Sequence, residues 1–498
     1  MGDEQYIKNG LKRKFSELRS QSEAGRLAAS LIAQIPPDFD IYQNYDINET
    51  HQAQAVIDCC GRWIRYCPEL GWLVYDEEDG CWKEAYAEAA VFAVVEHFAH
   101  LRWENAGDDA KELRFCTGML SAAGLMAVMR IIKNDQRIVE GQKTFDLRPE
   151  LLNCKGEVYD LKRGTRRPAE PEDYLRKSTR CGVWKPEGAG EEPPLPEKFL
   201  EFVGEITSKD GGARMDLAHY ILFYFGYALS GDMGAGFFVN FHGGGRNGKS
   251  ALLTLMLELF GDYGAAIPED LVLENARASG FDLSEIPGVR LGVVADAPDG
   301  HLNMKDMKPI ITGDPMSARR KYRENLQFKP VCKIAVGTNN RLKLRETGLG
   351  VQRRLRMVPF DYTIPEEKVD VFLKDKLLEE GPQILALLIG MAQEYYRKGG
   401  GPRAFPACAV VDAASREYMA SEDQVAQFLE EKTESAEGAE VSSADLYKAY
   451  LAWCDDQGIR KKLSKNSFGD RLTARKMERK HTNKAWLYVG IRLRLPDG

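Results

Sequence analysis

The chain has 498 residues, an apolar fraction of 44% and a formal net charge of −7. That gives room for about three domains with ordinary cores, and it excludes a uniformly basic chain that coats nucleic acid through charge alone. The sign is uneven, because residues 441–498 hold thirteen Lys/Arg against six Asp/Glu, and a basic end on an acidic chain suits a polyanion or a solvated surface equally.

The ten cysteines form no C-x-x-C pair. Cys59, Cys60, Cys67 and Cys81, with His51 nearby, fit no common zinc spacing and read as buried free thiols in a reducing compartment. The N-terminus has no apolar core of the signal-peptide kind, and no run approaches the ~20 apolar residues that span a bilayer. The expectation is a soluble, cytoplasmic chain without a membrane partner.

In chain order, residues 1–46 read as a polar tail with a short helix stopped by Pro36-Pro37. Residues 47–184 read as an α+β domain. It has strand-like character over 63–75, helices over 85–102 and 120–132, and a hairpin turning at Gly156. Residues 185–198, KPEGAGEEPPLPEK, form a Pro/Gly/Glu linker. Residues 199–362 read as an α/β core, beginning with helices over 199–229. Residues 363–436 read as a helical extension, with helices over 369–398 and 410–433 and a polar link at 434–440. Residues 437–498 follow the pattern of a small winged helix: a helix capped by Ser443, another beginning at Ser464 or Asn466, and a strand–turn–strand over 478–493 that turns at His481 to Lys484.

The most informative stretch is 237–260, FFVNFHGGGRNGKSALLTLMLELF. A β-favouring apolar run leads into a glycine-rich turn and then a helix-favouring apolar run. Gly243, Gly244, Gly245, Arg246, Asn247, Gly248, Lys249 and Ser250 carry the spacing G-x-x-x-x-G-K-S between strand and helix, which is the context of a phosphate-binding loop. Glycines let backbone N–H groups close around a triphosphate, and the helix N-terminus adds positive dipole. Lys249 reaches the β- and γ-phosphates, and the Ser250 hydroxyl is a Mg²⁺ ligand. The expected cofactors are ATP and Mg²⁺.

Hydrolysis needs a carboxylate near the metal, a polar group that positions water, and often an arginine from a neighbour. The apolar strand 289–295 ends at Asp296, with Asp299 three residues on. A second strand, 331–337, ends in Thr338-Asn339-Asn340, which offers Asn339 to the γ-phosphate or the water. Arg353 and Arg354 precede a third apolar strand and read equally as suited to a neighbouring subunit's nucleotide or as an ordinary surface arginine pair. Residues 317–328 read as a hairpin with Arg320, Lys321, Tyr322 and Arg323 near its tip, cations beside an aromatic that suit single-stranded DNA or a solvated charge run.

Together GGGRNGKS at Gly243, RLGVVADAPDG at Arg290, ITGDPMSARRKY at Ile311, IAVGTNN at Ile334 and RRLRMVPF at Arg353 resemble superfamily 3 helicases. The likeness is to the helicase part of phage- and plasmid-type primase–helicases, which are related to the poxvirus helicase–primase. It extends over 63–493. LLNCKGEVYDLKRG at Leu151 and PEDYLRK at Pro171 look like the family's N-terminal helicase-associated domain. LYKAYLAWC at Leu446 and NSFGDRL at Asn466 look like its C-terminal winged helix.

The resemblance implies an AAA+-type P-loop NTPase core and hexameric rings that move 3′→5′ along single-stranded DNA. By the same likeness Lys249 and Ser250 form the first ATPase motif, Asp296 the second and Asn339 the sensor. Arg353 or Arg354 is the trans-acting finger, and Lys321 and Tyr322 sit on the channel hairpin. Many members carry a second acidic residue where this chain has Pro298, so either Asp299 takes that role or the water is polarised otherwise. Members often carry a primase upstream; 46 residues are too few for one, so the primase is expected on a separate chain. The expected function is an ATP-driven DNA helicase replicating a phage or mobile element in a bacterial cytoplasm. The competing expectations are an origin-binding AAA+ remodeller or loader and a nucleotide-dependent scaffold or sensor.

Overall fold

The computed structural model describes residues 22–106, 110–185, 193–274, 283–318, 326–344, 349–459, 462–482 and 485–494. Helix α1 (Glu23–Ile32) starts where the Ser22 hydroxyl accepts from the Gly25 N–H at 3.0 Å, an N-cap that satisfies one orphan donor. Its Leu27 and Leu31 join Val56, Val91, Phe98 and Ile132 in one core. That core is shared by α2 (Glu49–Cys60), α3 (Ala87–Asn105) and α5 (Ala122–Lys133); α4 (Ala110–Met119) packs beside them. The described part of 1–46 is therefore docked on the domain that follows it. Two three-stranded antiparallel sheets complete this unit: β1 (Ile64–Cys67), β2 (Gly71–Asp76) and β3 (Cys81–Lys83), then β4 (Leu151–Cys154), β5 (Glu157–Asp160) and β6 (Thr165–Pro168). The cysteines are unpaired, and burial pushes the Cys60 and Cys67 thiols up to about 12.

Helices α6 (Glu197–Ile206) and α7 (Met215–Leu229) lead into the central sheet. Its strands are β7 (Phe238–His242), β8 (Gly264–Ala266), β9 (Leu291–Ala297), β12 (Lys333–Thr338) and β13 (Leu355–Pro359). The spatial order is β13-β7-β12-β9-β8 and every pairing is parallel. Alternation along the strands splits their side chains between two faces. Val239, Phe241, Leu291, Val293 and Ala335 join one core with α7 and α8 (Lys249–Phe260). Phe238, Val294, Ile334 and Val336 join another with Met307 and Ile310 of α9 (Met304–Thr312).

Two buried cations pin the start of this sheet to the C-terminal end of α7. Arg290 donates to the carbonyls of Leu229 and Leu151 and lies 4.4 Å over the Tyr263 ring. Lys333 donates to the Ser230 carbonyl and lies 4.8 Å over the Tyr227 ring. Both meet the carbonyl end of the helix dipole.

Several expected elements differ. Asp296 lies inside β9 rather than just past it. The arms β10 (Met316–Ala318) and β11 (Leu326–Phe328) pair antiparallel as the expected hairpin does, while Arg320, Lys321, Tyr322 and Arg323 lie outside the described residues. Arg353 and Arg354 end a short helix, α10 (Leu349–Arg354), before β13. The helix expected over 369–398 is two helices, α11 (Leu373–Leu378) and α12 (Gly381–Arg397), with Val371 81% and Phe372 64% exposed ahead of them. The helix expected over 410–433 is also two, α13 (Ala409–Ser421) and α14 (Gln424–Lys432), because Asp423 accepts from the Ala426 N–H and caps the second. The expected polar link is a ten-residue strand, β14 (Thr433–Ser442).

That strand belongs to the C-terminal unit, with α15 (Ser443–Asp456), α16 (Lys465–Ala474), β15 (Arg479–His481) and β16 (Trp486–Leu493). Val425 and Phe428 of α14 share its core with Tyr450, Trp453 and Leu472, so the unit packs from 424 rather than 437. Its first helix is capped by Ser442, not Ser443. Among the described residues no single helix is long and apolar enough to cross a membrane.

Candidate functional site

Strand β7 and helix α8 are joined by residues 243–248. Positive φ at Gly245 (93°), Arg246 (48°) and Gly248 (78°) folds this loop back on itself. Gly248 is required twice over: it sits in the left-handed region, and a Cβ there would meet Ile206 at 2.5 Å. At Gly243 a Cβ would fall 2.3 Å from the Phe360 carbonyl oxygen. Among the described residues the backbone N–H groups of Gly244, Arg246, Asn247, Gly248, Lys249 and Ser250 donate to no protein acceptor. A run of such donors at a helix start is an anion cradle.

Lys249 is only 4% exposed. Its Nζ donates to the Gly243 carbonyl at 2.8 Å, Asn247 Oδ1 at 2.8 Å and Asn339 Oδ1 at 3.2 Å. Burial lowers its pKa to about 8, with the Asp296 charge opposing the shift. Asn339 Nδ2 donates to Asp296 Oδ1 at 3.1 Å. The Ser250 hydroxyl is 3.5 Å from the carbonyl of Ala295, the residue before Asp296. The structure thus brings together Asn247, Lys249, Ser250, Asp296 and Asn339 from the C-terminal ends of three adjacent parallel strands, where open α/β sheets hold ligands. A buried ammonium, unpaired N–H groups, a hydroxyl and a carboxylate fit a triphosphate with its Mg²⁺.

Asp299 is exposed in the turn after β9 and makes no hydrogen bond or ion pair among the described residues. Arg353 and Arg354 precede Leu355, whose register partner is Phe238 at the start of β7. They stand at the opposite end of the sheet from the loop, a five-residue strand of about 16 Å away.

Three polar residues behind the site were not singled out from the sequence. The Thr338 hydroxyl donates to Asn240 Oδ1 at 2.9 Å between β12 and β7, both side chains fully buried. His242, the last residue of β7, is lowered in pKa by burial and by the Arg341 and Lys249 charges. A polar residue inside the apolar strand β7 (Asn240) and polar residues closing β7 and β12 (His242 and Thr338) were the available signal.

Three segments match known families: 53–208 the family described as D5 N terminal like, 241–354 a family of unknown function (DUF5906), and 420–489 the family described as poxvirus D5 protein-like. The chain is similar to a "Putative helicase" of Acanthamoeba polyphaga mimivirus, 27% identical over 42% of this chain and 22% of that protein. A "Putative helicase" of Invertebrate iridescent virus 6 is 24% identical over 66% of this chain and 37% of that protein. A "Putative primase" of African swine fever virus is 20% identical over 48% of this chain and 27% of that protein. The matched region thus spans well under half the length of these relatives. Among solved structures, the apo C-terminal region of NrS-1 aligns with TM-score 0.42 and 12% identity, over 74% of this chain and 89% of that one. The family matches and the viral relatives bear out the resemblance to poxvirus-type helicase–primases.

Proposed function

We propose that the chain is the ATP-driven motor of a DNA helicase serving the replication of a viral or mobile genetic element, acting as a hexameric ring that travels 3′→5′ on single-stranded DNA. The observation that carries this reading is the Asn339 carboxamide, hydrogen-bonded at once to Lys249 and Asp296. It links a phosphate-binding group, a metal-binding group and a water-positioning group in one cluster at a strand tip, as phosphoryl transfer requires.

In this reading the loop N–H groups and Lys249 hold the β- and γ-phosphates. Ser250 and Asp296 would hold Mg²⁺, which would supply positive charge against the phosphate oxygens. Asn339 orients the attacking water, and Asp299 accepts its proton. Arg353 and Arg354, remote from their own loop, serve the nucleotide of the next subunit, so the site is complete only in the assembly. Hydrolysis moves the paired arms β10 and β11 and drags one DNA strand, with the cations and aromatic of the sequence between them, Arg320, Lys321, Tyr322 and Arg323, read as the DNA grip. The core is read as an AAA+ P-loop ATPase and the C-terminal unit as a winged helix.

The test is strand displacement on a forked substrate. Lys249→Ala is expected to abolish ATP hydrolysis and unwinding together; unwinding that survives would sink the mechanism. Hydrolysis without displacement would favour a remodeller or loader, and slow hydrolysis indifferent to single-stranded DNA a nucleotide-dependent scaffold.

A further inference from the structure

The C-terminal unit hides its aromatics well, with one exception. Tyr450, Trp453, Phe468 and Tyr488 are each no more than 2% exposed in a single core. On β16, Tyr488 and Ile491 face that core. Trp486 lies two residues before Tyr488, on the same face by strand alternation, and runs past the core's edge. It is 46% exposed.

Its surroundings are cationic or titratable. His481 is its register partner on β15, ring centroids 4.7 Å apart and planes at 62°. The Arg479 guanidinium carbon lies 4.6 Å over the indole. Arg479 and His481 are both exposed. Lys480 between them pairs with Glu440 on β14. The hairpin therefore offers a half-bare indole with a guanidinium over its ring and an imidazole at its side. It sits on the segment whose balance is thirteen Lys/Arg against six Asp/Glu.

An aromatic plane beside a guanidinium is the combination that receives an unpaired base and its phosphate: every base has a π-face, and the cation meets the backbone. A packed duplex presents no such face without unstacking. We propose that Arg479, His481 and Trp486 form a stacking platform for single-stranded nucleic acid, with Trp486 taking one base and Arg479 the adjacent phosphate. The platform rests on the helicase reading only for the source of the strand; binding here requires neither nucleotide nor the phosphate loop.

The experiment uses the full chain without nucleotide, titrated into labelled oligo-dT and, separately, a blunt duplex of equal length, read by anisotropy at two salt concentrations. A bromodeoxyuridine-substituted oligonucleotide supplies a photocrosslink mapped by mass spectrometry. Trp486→Ala is expected to weaken oligo-dT binding about tenfold or more, to leave duplex binding near wild type and to abolish a crosslink within 479–486. Trp486→Phe is expected to retain most of the affinity, and Arg479→Gln to lower the salt slope by about 0.7. Since Trp486 lies outside the core, an unchanged melting profile checks that the variants fold. Unaltered oligo-dT affinity in Trp486→Ala, or equal losses on duplex and single strand, overturns the proposal. Lys249→Ala is expected to bind oligo-dT as wild type does, so failure of the ATPase reading and failure of the platform are separately visible.

Discussion

Asn339 donates its amide N–H to Asp296 at 3.1 Å, from the tip of β12 to the neighbouring strand β9. The bond fixes the carboxamide's orientation, because its oxygen must then face the Lys249 ammonium, which it does at 3.2 Å. One side chain therefore sets the geometry of two charges. Asn339→Ala is expected to leave nucleotide affinity within a few fold and to lower hydrolysis by about 10²-fold, the scale of losing one preorganised polar group. Equilibrium binding of a fluorescent ATP analogue and steady-state phosphate release separate the two effects. Asn339→Asp should be worse still, since it sets a second carboxylate against Asp296.

The lowered pKa of Lys249, about 8, makes nucleotide binding pH-dependent. Above that value the free protein progressively loses the proton that the phosphates need. Bound phosphates raise the pKa again, so binding takes up a proton and affinity falls as pH rises through 8, at most about tenfold per unit. Calorimetry at pH 8.5 in buffers of different ionisation enthalpy is expected to show proton uptake, which vanishes in Lys249→Ala.

Arg353 and Arg354 open β13 at the sheet end away from the loop, because β13 and β7 are parallel and Leu355 pairs with Phe238. If each site is built from two chains, two dead variants should rescue one another. Lys249→Ala lacks a loop but keeps its arginines; Arg353→Ala/Arg354→Ala has the reverse. Mixed in equal amounts, they are expected to regain about a quarter of wild-type hydrolysis on random assembly. Single replacements identify which arginine acts. A mixture as inactive as its components would mean that the arginines do not complete the neighbour's site; an active arginine double variant would place them outside the chemistry.

How much of this was legible depends on how local each signal is. The loop at 243–250 was readable because it is contiguous: strand, glycines, lysine and helix follow one another, and the structure keeps that order. Asp296 and Asn339 were readable one at a time as polar residues at strand ends, but their bond is not local. It exists because β12 and β9 are neighbours in a sheet whose order is not the chain order. Strand β14 was misread because Thr433–Ser442 contains only one buried apolar residue, Val441; its pairing with β16 supplies what its composition lacks. The break at 379–380 had a local mark, since Gly381-Pro382 opens the second helix with proline in its first turn, whereas no proline or glycine marks the gap at 422–423. Asp423 ends one helix by capping the next. The buried Arg290 and Lys333 had no local signature at all, since a cation opening an apolar strand reads as solvated until the helix end it meets is known.

That cation pair yields the last prediction. Arg290 supplies the donor for two buried carbonyls, Leu229 on α7 and Leu151 on β4, and so ties the N-terminal unit to the central sheet. Arg290→Met removes a side chain of similar length but leaves both carbonyls without that donor, at about 1–3 kcal/mol each. Denaturant unfolding is expected to show a loss of about 2–5 kcal/mol, with the N-terminal unit releasing first. Lys333 differs. It too donates to two carbonyls, Ser230 and Val331, but burial holds its pKa well below the usual lysine value. The folded chain therefore carries fewer protons there than the unfolded one, and this group makes stability rise with pH up to about 10.5, the unfolded value. Lys333→Met removes an amine that must give up its proton to be buried, so its loss at neutral pH is expected to be smaller than that of Arg290→Met. It should also flatten the rise of stability between pH 7 and 9. A Lys333→Met profile as steep as wild type would mean that the ammonium keeps its proton in the fold.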